Sequence, residues 1–205
     1  MYVEISPRQS GKTTRLVQAV INYLQQNTEH TVAVVGFNNR AKNELKEKIS
    51  RQINSSNIVI DDDWVHRVNF LSGNLFGKYN REPNYWFFDE FAFLPPSNLL
   101  HPIHSNVIEN AYYCTTPASD GFGLQRRSID IIVNHCRQNN IEVNFVNPWT
   151  ERRLIEQGGF ADYIRESVLN HWSEYMANNG FRIGLTENWI PKFIKRHRFS
   201  GNKGF

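Results

Sequence analysis

Apolar residues follow two patterns along the chain, one typical of buried strands and the other of amphipathic helices. Four segments are dominated by apolar, aromatic or β-branched residues: 2–5, 31–37, 85–90 and 111–117. Such runs are typical of parallel strands that are covered on both faces of a sheet. Shorter strands are predicted at residues 58–60 and 65–71, and residues 141–146 alternate like an edge strand.

Segments with helical spacing connect these strands. In residues 11–26 the apolar side chains recur at intervals of three and four, which gives the predicted helix one apolar face. A second helix is predicted from four apolar residues that recur at every fourth position: Ala41, Leu45, Ile49 and Ile53. Further helices are predicted at residues 97–109, 128–139 and 161–178.

The alternation of strands and helices predicts an α/β fold with a mostly parallel central sheet flanked by helices. The pattern changes at Trp149. We therefore expect a core at residues 1–148 and a small helical C-terminal appendage at residues 149–205, which we interpret as a lid or linker with a basic tail.

The segment between the first strand and the first helix, SPRQSGKTT at residues 6–14, has the composition of a phosphate-binding P-loop. A P-loop needs a turn whose backbone N–H groups cradle phosphates, a lysine that reaches the β- and γ-phosphates, and a hydroxyl group that holds Mg²⁺. Gly11, Lys12 and Thr13 supply these groups. Ser6 replaces the usual first glycine, so the interpretation depends on the strand before the loop and the helix after it. A polar cap on an ordinary helix is the alternative.

The loop predicts a site for ATP and Mg²⁺. The candidate ATP-binding residues are the whole segment: Ser6, Pro7, Arg8, Gln9, Ser10, Gly11, Lys12, Thr13 and Thr14.

Two carboxylates, Asp89 and Glu90, end the aromatic strand at residues 85–90. Ligands of open α/β sheets bind at the carboxyl ends of the strands, so these side chains are candidates for the chemistry. We predict that Asp89 holds Mg²⁺ opposite Thr13 and that Glu90 orients the water that attacks the γ-phosphate. Transfer of phosphate to a bound acceptor does not need the second carboxylate, so the pair favours hydrolysis. Two acids at the start of a loop are the alternative.

The strand at residues 111–117 ends in Thr115, Thr116 and Pro117. Hydroxyl groups at this tip can hydrogen-bond to water or phosphate, so we predict a sensor of the γ-phosphate; a polar turn is the alternative. Arg126 and Arg127 follow a glycine-bearing segment. Either arginine is a candidate finger that acts on the ATP of a neighbouring subunit, or an ordinary surface residue.

Charge is concentrated at the C-terminal end of the chain. The net charge is +3, and residues 192–205 contain no acidic residue and these basic ones: Lys192, Lys195, Arg196, Arg198 and Lys203. The first four are candidates for contacts with DNA phosphates, and a frayed, solvated terminus is the equal alternative.

Other polar and reactive residues receive structural interpretations. Cys114 and Cys136 lack the spacing of a metal or redox pair, which fits a reducing cytoplasm. His101 and His104 are interpreted as residues on a helix surface and not as metal ligands, and residues 61–63 as a solvated acidic turn. We find no signal-peptide pattern and no apolar run long enough to span a membrane, so a soluble protein without a membrane partner is expected.

Three stretches together resemble the ATPase domain of tailed-bacteriophage large terminase subunits, the motors that drive DNA into procapsids. RQSGKT at residues 8–13 is similar to the Walker A motif of that family, in which an arginine near the start is typical. FFDEFAFLP at residues 87–95 is similar to its Walker B motif, and CTTP at residues 114–117 to its coupling motif. The likeness covers residues 3–123. Two departures are expected: the segment that helps to hold adenine in longer relatives would be missing before the first strand, and the residues after Pro117 are too few for the nuclease domain that usually follows. Either the protein is an ATPase-only packaging protein, or the sequence is the N-terminal part of a longer chain.

The resemblance implies a P-loop NTPase of the additional-strand (ASCE) type that hydrolyses ATP and translocates double-stranded DNA. Glu90, Lys12 and Arg8 would be catalytic. The expected partners are the DNA and the portal of a procapsid, with a homo-oligomeric ring as the assembled form in the host cytoplasm. Alternatives are another P-loop translocase or helicase, of the FtsK/HerA kind or like superfamily 2, a small-molecule kinase, and a nucleotide-gated binding module with little turnover.

Overall fold

A computed structural model of the chain describes residues 1–6, 10–55, 60, 63–73, 82–101, 104–116 and 123–144. The elements follow in the order β1 (Tyr2–Ile5), α1 (Lys12–Gln26), β2 (Val32–Gly36), α2 (Asn39–Ser55), α3 (Trp64–Arg67), β3 (Val68–Ser72), β4 (Tyr85–Asp89), β5 (Ala111–Thr115), α4 (Gly123–Gln138) and β6 (Val143–Asn144). Two short 3₁₀ turns, Phe91–Phe93 and Pro96–Leu99, follow β4.

The six strands form one parallel sheet in the order β3-β2-β4-β5-β1-β6. β5 therefore lies between β1, which leads into the P-loop segment, and β4, which ends in Asp89. This is the additional-strand arrangement, and it confirms the predicted α/β P-loop fold. The carboxyl ends of β1, β4 and β5 lie at one edge of the sheet, which we call the carboxyl edge.

Apolar side chains cover both faces of the sheet. Successive side chains of a strand point to opposite faces, and β4 illustrates this because Trp86 and Phe88 belong to the core beneath α4 while Phe87 belongs to the core beneath α1 and α2. The ring of Phe88 stacks on Tyr113 of β5, with centroids 4.7 Å apart. Burial on both faces explains why β4 reads as a continuous aromatic run and not as an alternating strand.

The first two helices lie where their apolar spacing predicts. α1 begins at Lys12 and buries five apolar residues: Leu16, Val17, Val20, Ile21 and Leu24. α2 buries the four apolar residues whose spacing predicted the helix: Ala41, Leu45, Ile49 and Ile53. Among the residues that the structure describes, no helix is both long enough and apolar enough to cross a membrane.

Two predictions of secondary structure are wrong in whole or in part. The strand expected at residues 65–71 is confirmed from Val68, where β3 begins, but the three residues before it belong to a helical turn, α3. The helix expected at residues 97–109 is a 3₁₀ turn and a chain reversal, in which Leu100 and Val107 form an antiparallel bridge. A proline at 102 lacks the amide hydrogen that a helix requires, and Ser105 has a positive φ of 53°, so a helix cannot continue through this segment.

Some boundaries differ from expectation, and some predictions lie outside the described residues. α4 begins at Gly123, five residues before the expected start at 128, and β6 is described only for Val143–Asn144. The strand expected at residues 58–60 is described only at its last residue. The helix expected at 161–178 and the whole appendage at 149–205, which includes the basic tail, lie outside the described residues.

Candidate active site

The P-loop segment leaves β1 at the carboxyl edge and enters α1 through Gly11. Gly11 has a φ of 82°, a left-handed conformation that glycine adopts without strain because it has no Cβ atom. The backbone N–H of Ser6 donates a hydrogen bond of 3.0 Å to the carbonyl of Thr115, so the start of the loop is joined to the end of β5. Pro7, Arg8 and Gln9 lie outside the described residues.

Lys12 and Glu90 form an ion pair in this region. Lys12 is 5% exposed, and its Nζ lies 3.5 Å from Glu90 Oε1. A buried ammonium group is stable only where an anion or several acceptors replace its water. The position of Lys12 therefore favours a negatively charged ligand at the loop. In this structure the negative charge beside Lys12 is that of Glu90.

Thr13 at the start of α1 and Asp89 at the end of β4 bring a hydroxyl and a carboxylate together beside the Lys12–Glu90 pair. Thr13 Oγ1 lies 3.3 Å from Asp89 Oδ1, although the two residues are far apart in sequence. The pKa of the Asp89 carboxyl is raised above its ordinary value, chiefly by burial and then by the nearby Glu90 charge. Hydrogen bonds from Cys114 and Thr13 and the charge of Lys12 offset part of this rise. A hydroxyl and a carboxylate are hard oxygen ligands, and Mg²⁺ uses one or two such groups together with phosphates and water. The donor set fits that ion.

Glu90 is held at the end of β5 by the two threonines. Its Oε2 accepts hydrogen bonds from Thr115 Oγ1 at 3.2 Å and from the Thr116 backbone N–H at 2.9 Å. Its Oε1 accepts a hydrogen bond from Thr116 Oγ1 at 2.9 Å. Glu90 also has a positive φ of 51°, a strained conformation for a residue with a side chain. Backbone and side chain together direct this carboxylate toward β5 and Lys12.

Two residues that the sequence interpretation did not assign to the site, Cys114 and Arg15, contact its members, and a third, Glu4, binds Arg15. Cys114 Sγ donates to Asp89 Oδ1 at 3.3 Å. Arg15 Nη1 donates to the Ser10 carbonyl at 2.7 Å, and the same guanidinium group binds the buried carboxylate of Glu4. The sequence carries a signal for two of these residues. Glu4 is a charged residue inside a short apolar strand, and Arg15 is a cation in the first turn of a helix, so each would need a partner of opposite charge.

Ser10 has a feature that fits a phosphate ligand. Its side chain is buried, and its Oγ has no hydrogen-bond partner among the described residues. Buried hydroxyl groups normally have a partner, because burial without one costs free energy. An anionic oxygen bound in the loop would supply the acceptor.

Other predicted residues do not take part in the described contacts of the site. Thr14 and Arg127 are exposed. Pro117 lies outside the described residues, as does the side chain of Arg126. The geometry therefore leaves the sensor role of Pro117 and the finger role of either arginine as predictions.

The two histidines that were interpreted as helix-surface residues, His101 and His104, lie instead in a turn at the opposite edge of the sheet. His101 and His104 stack with ring centroids 4.7 Å apart, and His101 Nε2 pairs with Glu82 Oε1. They line a cavity of about 200 Å³ in the turn that replaces the expected helix. Within the described part of the chain, no group of three His, Cys, Asp or Glu residues is arranged to hold a metal ion.

Comparison with protein families gives one match. The model of the UvrD/REP helicase N-terminal domain matches residues 9–114, which extend from the P-loop segment to Cys114 of β5. That range includes Gly11, Lys12, Asp89 and Glu90. No curated protein and no solved structure gives a significant match.

Proposed function

This chain belongs to the UvrD/REP helicase N-terminal domain family, a family of P-loop helicases, and from that premise we propose that it is an ATP-hydrolysing motor that moves along DNA. The observation that supports ATP hydrolysis most directly is the meeting of four side chains at the carboxyl edge. Thr13 contacts Asp89, and Lys12 pairs with Glu90.

The roles proposed for these residues follow from their chemistry. The N–H groups of the P-loop segment bind phosphate oxygens, and Lys12 offsets the charge of the β- and γ-phosphates. Thr13 and Asp89 would hold Mg²⁺, which neutralises charge on the phosphates when it is bound. Arg8 is proposed to assist from the start of the loop. Glu90 then orients and polarises the attacking water.

Glu90 has no free acceptor site for a hydrogen bond from this water while all its present contacts remain. A carboxylate offers about four lone-pair sites, and Glu90 uses three for hydrogen bonds from Thr115 and Thr116 and faces Lys12 with Oε1. Phosphates in the loop would compete for Lys12 and free that oxygen. We therefore propose that nucleotide binding prepares Glu90 for catalysis, and that Thr115 and Thr116 link its position to the state of the γ-phosphate.

Packaging of viral DNA is the specific form of translocation that we propose. It is supported by the resemblance of residues 8–13, 87–95 and 114–117 to terminase motifs. In this proposal the protein works as a homo-oligomeric ring at the portal of a procapsid. The basic residues of the C-terminal tail, Lys192, Lys195, Arg196 and Arg198, contact DNA phosphates, and Arg126 or Arg127 acts on a neighbouring subunit's ATP.

Translocation along single-stranded DNA with unwinding is the second candidate. It is favoured by the helicase family and by a pair of exposed rings at the carboxyl edge. Phe37 follows β2 and is 36% exposed, and Phe93 follows β4 and is 43% exposed. Their ring centroids are 5.3 Å apart. Exposed aromatic side chains bind single strands by stacking on unpaired bases, which a duplex does not offer.

The test first compares ATP hydrolysis by the purified chain under three conditions. ATP hydrolysis is measured alone, with linear duplex DNA and with single-stranded DNA. Displacement of a third strand from a duplex reports movement along double-stranded DNA, and opening of a forked duplex reports unwinding. Packaging-type translocation predicts stimulation by duplex and third-strand displacement without fork opening, and addition of procapsids should then cause DNA uptake.

Other outcomes identify the alternatives. Stimulation by single strands together with fork opening would support the second candidate and overturn the first. Phosphate transfer to a small acceptor without hydrolysis would identify a kinase. Tight ATP binding with negligible turnover would identify a nucleotide-gated binding module.

A further inference from the structure

Arg15 lies at an unfavourable end of its helix and is nevertheless firmly held. It is in the first turn of α1, near the end of the helix where the dipole disfavours cations. Glu4 of β1 compensates for this position, because its carboxylate accepts hydrogen bonds from Arg15 Nε at 3.1 Å and from Nη2. Two parallel bonds of this kind fix both the distance and the plane of the guanidinium group.

Glu4 is itself a fixed support. It is 0% exposed, on the face of the sheet that α1 covers, and the hydroxyl of Tyr112 on β5 donates to Glu4 Oε2 at 3.3 Å. A buried carboxylate needs such partners to remain charged. Arg15 is therefore attached to β1 directly and to β5 through Glu4, and these bonds oppose its rotation away from the loop.

The remaining nitrogen of the guanidinium group reaches the P-loop segment. Arg15 Nη1 donates to the Ser10 carbonyl at 2.7 Å. It also lies against Gly11, since a Cβ atom at that position would be 3.2 Å from Nη1. In a trans peptide the carbonyl and the following N–H point in opposite directions. A Ser10 carbonyl that points to Arg15 consequently directs the Gly11 N–H away from Arg15.

We propose that Arg15 is a positioning residue of the nucleotide site, which holds the Ser10–Gly11 peptide so that the Gly11 N–H faces the phosphates. Glu4 is the anchor that keeps Arg15 in place. The inference rests on the proposed function, because it needs a phosphate ligand in the loop. It deepens that proposal by adding a residue that touches neither substrate nor metal.

The inference makes a specific kinetic prediction. P-loop N–H groups cradle the α- and β-phosphates, which ATP and ADP share. Loss of one oriented N–H weakens ground-state and transition-state binding alike, so KM rises while kcat changes little. A purely structural ion pair would instead lower Tm and leave the affinity of the folded protein unchanged.

The experiment uses the full chain, with Mg-ADP titrated calorimetrically and ATP hydrolysis measured in parallel. The main variant is the double change Glu4→Gln with Arg15→Met, which avoids leaving the Glu4 charge buried alone. We expect ADP affinity to fall and KM for ATP to rise by roughly tenfold, with kcat within about twofold of wild type. Arg40→Met, at an exposed arginine of α2, is the matched control and should leave all three quantities unchanged.

Arg15→Lys keeps a positive charge beside Glu4 but lacks the fork that binds Glu4 and Ser10 together. It should lose ADP affinity while keeping a cooperative thermal transition, and it decides the question if the double variant does not fold. Folded variants that bind ADP as tightly as wild type would overturn the role of Arg15. Failure of the wild-type chain to bind ADP or ATP would instead overturn the proposed function.

Discussion

Glu90 accepts two hydrogen bonds from Thr116, one from the backbone N–H and one from the side-chain hydroxyl, each 2.9 Å long. These bonds hold the carboxylate at the end of β5, and the backbone of Glu90 has a positive φ. In the proposed site Lys12 leaves Glu90 when phosphates bind, and the hydrogen bonds from Thr116 then limit how freely the carboxylate can turn toward the attacking water. The strength of the contact with Thr116 should therefore influence how much ATP is hydrolysed without DNA.

Thr116→Val removes the hydroxyl donor and keeps the shape of the side chain. We expect the basal ATPase rate to rise and the stimulation by DNA to fall, each by roughly tenfold or more, because a hydrogen bond to a charged group contributes about 1.5–3 kcal/mol and about 1.4 kcal/mol is a factor of ten. Steady-state hydrolysis with and without DNA measures both effects. Thr31→Val is the matched control, since the Thr31 hydroxyl contacts Asn84 at the opposite edge of the sheet. A lower basal rate with unchanged stimulation would argue against a restraining role.

Glu90→Gln tests the proposed base directly. The amide keeps the size of the side chain but cannot polarise water as a carboxylate does, so hydrolysis should slow by about 10²–10⁴-fold while ATP still binds. Single-turnover hydrolysis and ATP titration separate the two properties. Glu109→Gln changes an exposed carboxylate at the opposite edge and should behave as wild type. Near-normal turnover in Glu90→Gln would exclude Glu90 as the catalyst.

Much of the fold could be predicted because burial leaves a clear pattern in the sequence. The strand at Tyr85–Asp89 is covered on both faces, and this produces the aromatic run from which it was predicted. The four apolar residues of α2 face the sheet and produce the spacing from which that helix was predicted. Strand order could not be read from the sequence pattern, but the resemblance to terminase ATPases implied an additional-strand sheet, and β5 lies between β4 and β1 as that fold requires.

The sequence was less informative where a single partner decides the conformation. A strand was predicted at residues 65–71, but Val65 is 52% exposed and Arg67 is buried, which is the reverse of what apolar burial predicts. Arg67 is buried because backbone carbonyls at the end of α1 accept its hydrogen bonds. Glu4 is buried in β1 for a similar reason, because Arg15 of α1 binds its carboxylate and only the fold brings the two side chains together.

Cys114→Val tests the contact between β5 and Asp89. The change removes the thiol that donates to Asp89 Oδ1, so the carboxylate loses one restraint and more Mg²⁺ should be needed for half-maximal ATPase activity. Because S–H is a weak donor, we expect a change of only about threefold. Cys114→Ser retains a donor and should restore the wild-type dependence. Cys136→Val removes the other buried thiol, on α4, and equal Mg²⁺ curves for Cys114→Val and Cys136→Val would contradict the prediction.

The two cysteines should resist alkylation while the chain is folded. Burial raises the pKa of Cys136 to about 11, and burial together with the charge of Asp89 raises the pKa of Cys114 well above its usual range. Iodoacetamide reacts with thiolates, so mass spectrometry at pH 8 should find both thiols unmodified in the folded chain and modified in guanidinium chloride.

The same shift gives a pH dependence of stability. The thiol of Cys136 ionises near pH 9 in the unfolded chain and only near pH 11 in the folded one, so its contribution is present below pH 9 and is lost as the pH rises toward 11. Cys136→Val should flatten the fall in Tm over this range. An unchanged slope, or rapid alkylation of the folded chain, would contradict the assigned burial.

Arg67→Met tests how the end of α1 is stabilised. Arg67 Nη1 donates to the Asn27 carbonyl at 2.8 Å, and Nη2 lies 3.4 Å from the Leu24 carbonyl, so this side chain serves carbonyl groups that the helix leaves without partners. Methionine keeps an apolar stem but no donor, and the free energy of unfolding should fall by about 1–3 kcal/mol. Thermal and denaturant unfolding measure the loss.

Arg51→Met, at an exposed arginine paired with Glu47, is the control for Arg67→Met and should change the free energy of unfolding by less than about 0.5 kcal/mol. Because Arg67 lies at the far end of α1 from Gly11, KM for ATP should stay constant, and a raised KM would mean that this end of the helix also affects the P-loop.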